Sequence, residues 1–283
     1  MNLYNIISEI EKVDPDFQDK ISPRRAAIKN ITSFGSKVAI AALPMAVASI
    51  FKKANAQSSN STSRSVAEVL NFALQLEYFE AYFYNKGNGM TGFIPSASAY
   101  YFTVAGAQEN DHVTFLQGVL GASASTANAS YDLTAGGAFA DVLTNFATYL
   151  AVAQVVEDTG VRAYKGQAPY LVGNQVVLSA ALSIHAVEAR HASALRALRG
   201  ISPWINSTAA DSNDTGIGAA VNGNYSGATP ENTTTQGPVN LLTLPSIESS
   251  SSTNFTVAAA AFDEPLTTTE VAALVAGFGV VVS

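Results

Sequence analysis

Between residue 65 and about residue 200, long apolar stretches alternate with short polar breaks, and apolar side chains recur every three or four positions rather than every second one. Val66, Leu70, Ala73, Leu74, Phe79 and the aromatic run at 82–84 set this rhythm in the first stretch. Such spacing lines one face of a helix and is not the alternation of a strand. It predicts four helices, at 65–86, 98–120, 137–165 and 172–199. Gly87-Asn88-Gly89 ends the first, and Pro95-Ser96 opens the second with the serine as its expected cap. Pro169 separates the third from the fourth, which Gly200 and Pro203 stop. The connection at 121–136 is longer than a helical hairpin needs. About 15 extended residues reach about 50 Å, more than the roughly 35 Å of a 23-residue helix. The third helix can therefore start at the far end of the bundle, giving two hairpins joined by a crossover. The fold class expected is all-α, a four-helix bundle with a long crossover between helices 2 and 3.

The pattern changes after residue 200. Residues 201–262 are rich in Ser, Thr, Asn and Gly, with an apolar interruption at 239–244, and read as a polar, partly irregular extension with room for short strands. Thr267 and Glu270 form a capping-box sequence ahead of the apolar stretch 271–282, so a short terminal helix is expected to pack back on the bundle or on an oligomer partner. At the other end, Arg24-Arg25 precedes an apolar run at 38–51, then Lys52-Lys53 and the small-x-small sequence Ala54-Asn55-Ala56. Residues 1–56 resemble a twin-arginine export signal, with a stretch before the arginine pair longer than usual. An uncleaved anchoring helix is the alternative. The run is broken by Pro44 and is short for a membrane span, so no stable span is expected once the signal is removed. The expected layout is a 1–56 signal, a Ser/Asn linker at 57–64, the bundle at 65–200 and the extension at 201–283, in a periplasmic or cell-surface protein.

Composition narrows the chemistry. The chain has no cysteine, which excludes disulfides, iron–sulfur clusters and thiolate zinc sites and leaves oxygen and imidazole as ligands. The formal net charge is −7, but residues 1–56 hold 8 of the 15 Lys+Arg and only 5 of the 22 Asp+Glu, so the remainder carries −10. No Lys or Arg follows Arg199. Nucleic acid is therefore not an expected partner, since phosphate binding needs a basic surface. An acidic protein suits cations.

Two of the three histidines sit in Glu-x-x-His tetrads, Glu109 to His112 and Glu188 to His191. Three residues along a helix rise about 4.5 Å and turn about 300°, so both side chains of a tetrad project from one face. The halves repeat: Glu77 to Glu157 is an offset of 80, while Glu109 to Glu188 and His112 to His191 are offsets of 79. Tyr84 follows Glu77 by seven residues, as Tyr164 follows Glu157. All these residues lie mid-helix, and antiparallel helices of equal length bring their midpoints to one level. Four glutamates there cost several kcal/mol per charge inside an apolar bundle, or force protonation, unless cations compensate. Two divalent ions balance four carboxylates.

This constellation resembles the ferritin-like superfamily of di-iron carboxylate bundles, which take one Glu from each of two helices and Glu-x-x-His from the other two. The sequence around Glu77, Leu-Glu-Tyr-Phe-Glu-Ala-Tyr-Phe-Tyr, is similar to the first helix of ferritins, with a tyrosine one heptad after the ligand. The export signal and long tail look most like the exported bacterial ferritin-like group related to desiccation-related proteins. The resemblance covers about 65–200 and leaves the tail unexplained. It implies Glu77 and Glu157 as terminal ligands, Glu109 and Glu188 as bridges, and His112 and His191 on one metal each. Glu80 competes with Glu77, and the Tyr84/Tyr164 correspondence favours Glu77; Asp158 competes with Glu157. Tyr84, Tyr164, His185 and Glu80 are candidates for the surrounding shell, with ordinary core roles as the plainer alternative for the tyrosines and His185. The implied cofactor is two iron ions, with manganese as the alternative, and the implied partners are metal ions and O2 or H2O2. Ferroxidase or peroxidase-like redox chemistry in stress protection is one expectation, and a manganese-catalase-like reaction another. A non-catalytic protein using metal as a staple or sequestering it is a third, and a surface or assembly module binding through its acidic tail a fourth. Homo-oligomers are compatible with all of them, cage storage least.

Overall fold

The computed structural model describes residues 64–205, 215–236, 239–243 and 251–282; the 1–56 signal reading and nearly all of the 57–64 linker lie outside them. Four long helices form the bundle: α1 (Val66–Asn88), α2 (Ser96–Leu120), α3 (Phe146–Gln167) and α4 (Gln175–Leu198). Their starts are encoded locally. Ser65 accepts from the Glu68 N–H at 3.2 Å and Glu68 accepts from the Ser65 N–H at 2.7 Å, a complete capping box for α1. Asn145 caps α3 through the Ala147 N–H, and Asn174 caps α4 through the Val177 N–H. Ser96 does not cap α2 as expected. It is the first helical residue, Pro95 holds the cap position, and no side chain caps that end.

α1 packs with α2 and α3 with α4 as two hairpins, and the crossover joins them. It runs the length of α1. Ser125 and the Ser123 carbonyl bond to Asn71, and Ser125 also meets Gln75 and Tyr78. Tyr131 packs on Phe79 and Tyr82, and Phe146 reaches Phe93 beyond the end of α1. α3 therefore starts beside the C-terminal end of α1 and runs antiparallel to it. Tyr149 stacks on Phe83 with ring centroids 4.3 Å apart and donates to its carbonyl, while Gln167 lies at the N-terminal end beside Arg64.

The third helix starts at Phe146, nine residues later than the periodicity predicts, so the crossover spans 121–145. The reason is a turn built on Asp132, whose carboxylate accepts from the N–H groups of Thr134 and Gly136 and from the Thr134 hydroxyl. Ala135, Gly136 and Gly137 follow with φ of 50°, 70° and 95°. Three successive left-handed residues cannot continue a right-handed helix. The apolar residues of 138–143 pack as turns instead, with Phe139 and Val142 buried.

The described residues of the C-terminal region carry more regular structure than its composition suggests. It contains a short helix α5 (Asn222–Ser226), a two-residue antiparallel pair β1 (Thr235–Gln236) and β2 (Val239–Asn240), α6 (Ser251–Ala260) and α7 (Thr268–Val275). α6 falls in the stretch read as irregular. α7 opens with the expected Thr267/Glu270 capping box, but the helix is shorter than the apolar stretch that follows it, ending in a 3-10 turn and Gly279 at φ 79°. This region docks on α3. Fully buried Arg162 pairs with Glu231 and donates to the carbonyls of Asn224, Thr229 and Glu264. Asp158 pairs with Arg196 and accepts from Tyr225 at 2.6 Å. The Leu266 N–H bonds to the Arg162 carbonyl, and a Cβ at Gly166 would stand 1.9 Å from the Leu266 oxygen, so only glycine allows that approach. No helix among the described residues is long and apolar enough to cross a membrane.

Breaking a buried ion pair by removing one partner costs about 3–5 kcal/mol. Arg162→Ala, which removes the guanidinium paired with Glu231, is expected to lower stability by that order, while exposed Arg190→Ala changes it by less than about 0.5 kcal/mol. Denaturant midpoints of the two variants against the parent protein check this, and equal midpoints would mean the extension is not anchored through Arg162.

Candidate metal centre

All six residues singled out in the two tetrads and the two preceding helices converge at the middle of the bundle. Glu77, Glu109, Glu157 and Glu188 are wholly buried, and His112 and His191 are 9% and 5% exposed. They form two groups, each with donor atoms mutually within 4.8 Å: Glu77, Glu109, His112 and Glu188, and Glu109, Glu157, Glu188 and His191. Glu109 and Glu188 belong to both. His112 Nδ1 lies 2.9 Å from Glu109, 3.1 Å from Glu77 and 3.2 Å from Glu188. His191 Nδ1 lies 2.7 Å from Glu109 and 3.3 Å from Glu157.

The antiparallel pairing explains the reciprocity. Tyr84 on α1 donates to Glu157 on α3, and Tyr164 on α3 donates to Glu77 on α1. With the same seven-residue spacing on both helices, one such contact generates the other. Across α2 and α4 the same holds, with His112 meeting Glu188 and His191 meeting Glu109. The bundle thus has a local two-fold relation centred on the carboxylates.

Several residues stand elsewhere. Asp158 faces away from the centre, toward Arg196 and Tyr225, so it does not compete with Glu157. His185 lies 3.0 Å from the Val161 carbonyl, is lowered in pKa by burial, and stands outside both donor groups. Glu80 is buried beside the site but belongs to neither group. Two contacting residues escaped the sequence reading. Gln108 Oε1 lies 2.7 Å from His191 Nε2, and Tyr101 joins Tyr84 at 3.0 Å and donates to the His191 carbonyl at 3.2 Å. Gln108 could have been noticed only as a polar neighbour of Glu109. Its oxygen accepts from Nε2–H, which leaves Nδ1 free of a proton for a metal.

The charges are poorly compensated by protein alone. Glu109 Oε1, Glu157 Oε2, both oxygens of Glu188 and His191 Nδ1 are buried without a hydrogen-bond partner. They face one another at short range without hydrogen-bond alignment, as ligands of a shared cation do. Burial, with Glu109 and Glu157 charges adding to it and His112 opposing, holds Glu188 well above the usual carboxylate range. Burial acts to lower both histidines, yet Glu77's charge and contacts with Glu109, Glu188 and Glu77 raise His112 far above its ordinary value. His191 is carried the same way, mainly by Glu157 and Glu109, up to about 11. Without metal, protons must serve as the counter-ions. An all-oxygen-and-imidazole donor set with four carboxylates fits iron(II) or manganese(II).

The model of the ferritin-like domain family matches residues 65–200. Residues 65–200 are a ferritin-like domain. No curated protein and no solved structure matches the chain. The match ends where α4 ends, so the ferritin-like domain contains both donor groups, and the extension docked on α3 lies beyond it.

These pKa directions have a sign. Histidines and carboxyls raised in the folded state mean that it binds more protons than the unfolded chain, so metal-free stability falls as pH rises. For Glu188 the loss begins above the ordinary Glu value near 4.5. For His191 it runs from 6.5 to about 11. Thermal midpoints of chelator-treated protein are expected to be higher at pH 5.5 than at pH 8.5, and divalent metal to reverse the order because it releases those protons. A metal-free midpoint that rises with pH across this window would contradict the charge assignment.

Proposed function

We propose that the ferritin-like domain holds a dinuclear metal centre, with two iron ions as the best fit and two manganese ions compatible with the same donors. The observation that carries this is the pair of buried donor groups sharing Glu109 and Glu188. In this reading Glu77 and Glu157 are terminal ligands, Glu109 and Glu188 bridge, and His112 and His191 each bind one ion through Nδ1. Two such ions supply a redox couple that can pass electrons to O2 or H2O2, in ferroxidase or peroxidase-like chemistry. The protein's own part is positioning. Tyr84 and Tyr164 hold the Glu157 and Glu77 carboxylates by donated hydrogen bonds. Gln108 orients His191, and burial excludes bulk water from all four carboxylates. Removing such an outer partner costs about 10–100-fold in metal affinity.

We further propose an exported, periplasmic or cell-surface protein acting in stress protection. The supports are Arg24-Arg25, the apolar run after it, Ala54-Asn55-Ala56 and the acidic remainder. The relation to desiccation-related proteins belongs to the same proposal. A second reading has its own support: the unpartnered buried carboxylates make the metals a structural staple as well, and a non-catalytic, metal-sequestering protein needs nothing more.

Protein folded in its own cell and purified without chelator is expected to carry about two Fe or Mn per chain. Glu109→Ala removes a member of both groups and should lose both ions, while His191→Ala should empty its own group first. Unchanged metal content in both variants overturns the assignment. Anaerobic Fe(II) loading followed by O2 or H2O2 then separates the readings: repeated oxidation supports the redox function, and bound metal with no turnover supports the staple.

A further inference from the structure

The crossover packs on α1 and the extension on α3, and the outer faces of α2 and α4 stay exposed among the described residues. A solvated helix face normally carries many charged and polar side chains. Here α2 has one charged residue outside the metal centre, Asp111, and α4 has one exposed charged residue, Arg190. Neither side chain is ion-paired among the described residues. Large apolar side chains lie exposed beside them: Tyr100, Val104 and Phe115 on α2, Tyr100 by 83%, and Val176 on α4 by 55%.

Helix phase puts these residues on one flank. Glu109 and His112 point into the bundle and Asn110 bonds to Asn85 on α1, so Asp111 takes the opposite flank, toward α4. Tyr100 and Val104 precede Asp111 by eleven and seven residues and Phe115 follows it by four, so all three share that flank. The duplication offset of 79 carries Asp111 to Arg190, Tyr100 to Ser179, Val104 to Ser183 and Phe115 to Ala194. The two strips are therefore opposites: bulky side chains and a negative charge on α2, small side chains and a positive charge on α4.

We propose that this face binds a second copy of the chain, with α2 of each copy against α4 of the other about a two-fold axis parallel to the helices. That axis uses both contrasts, which makes the face self-complementary. It preserves the level of every residue along the bundle. Within the chain His112 meets Glu188 and His191 meets Glu109, so residue 111 is level with 189–190 and residue 115 with 185–186. Asp111 then stands against Arg190 of the partner subunit, in two equivalent contacts, and Phe115 fits beside Ser183 of the partner subunit. An axis across the helices would set Asp111 against the partner's Asp111, and like charges so placed are unfavourable. Helices of 25 and 24 residues are about 36 Å long and together about 20 Å wide, a face of about 700 Å2, close to the roughly 800 Å2 per partner of a standard interface. The second copy adds over α2 and α4 the layer that the crossover and the extension add over α1 and α3. The pairing is independent of what the metal centre holds.

Sedimentation of the full-length protein over a dilution series, with Asp111→Arg and Arg190→Asp alongside, tests this, and circular dichroism establishes that each variant folds. The wild type is expected to be a dimer that dissociates on dilution. Either reversal sets like charges at both contacts and should raise the dimer dissociation constant about a hundredfold. Mixing the two variants in equal amounts should bring it back to within about tenfold of the wild type, because one copy then carries two positive charges and the other two negative ones. An ion pair formed within one chain gives no such rescue. If a single variant does not fold, the double variant Asp111→Arg/Arg190→Asp carries the comparison: it should dimerise as the wild type does and form no mixed dimer with it, and free mixing counts against the pairing. A wild type monomeric throughout overturns the proposal, whether the face stays open or is covered by the chain's own run at 38–51. A dimer that neither reversal weakens by more than about twofold joins through some other surface and overturns it equally.

Discussion

Five carboxyl groups are buried together in the middle of an apolar bundle, and their mutual repulsion is the constraint around which the structure is arranged. Burying an unpaired charge costs several kcal/mol even after relaxation. Among the described residues only two imidazoles stand close enough to offset the five groups, Glu77, Glu80, Glu109, Glu157 and Glu188. Protons can hold the metal-free protein together, as the raised histidines and Glu188 indicate. They cannot satisfy the unpartnered oxygens and the unpartnered Nδ1 all at once. A pair of cations does both, which is why the geometry and the charge lead to the same reading.

The crossover is what lets a duplicated sequence build one site. Without it α3 would begin at the other end of the bundle, parallel to α1, and Glu157 would meet no tyrosine from α1. By running along α1 from Asn71 to beyond Phe83, the connection starts α3 beside the C-terminal end of its partner. Antiparallel pairing then turns equal spacings into reciprocal contacts. The aromatic stack of Phe83 and Tyr149 fixes that register at one end, and Gln167 beside Arg64 at the other.

What could be read from the chain and what could not divide along physical lines. Helix existence, the tetrads and the offsets follow from periodicities local to each segment, and the capping boxes at Ser65 and Thr267 are local too. The seven-residue spacing also pointed to Glu77 over Glu80, and it is Glu77 that accepts from Tyr164. The start of α3 was missed because apolar residues at 138–143 mimic a continuing helix, and only the Asp132 turn with its left-handed residues shows otherwise. The docked extension was invisible for another reason. Its anchors are single residues, Glu231, Glu264 and Tyr225, that meet Arg162 and Asp158 from far along the chain, and no local pattern marks them. Gln108 gains its role only from the helix opposite.

The same contacts decide which side of the site faces solvent. The crossover covers the outer face of α1, and the extension covers α3 through Arg162 and Asp158. As a result 15 residues of α1 and 17 of α3 are buried, against 8 each in α2 and α4. Among the described residues, the wall behind the carboxylates is therefore two layers thick on the α1/α3 side and one helix thick on the α2/α4 side. Both histidines come from the thin wall, and Glu80 comes from the thick one. The buried carboxyls on α1, Glu77 and Glu80, have no solvent to answer their charge, so it is answered within the bundle.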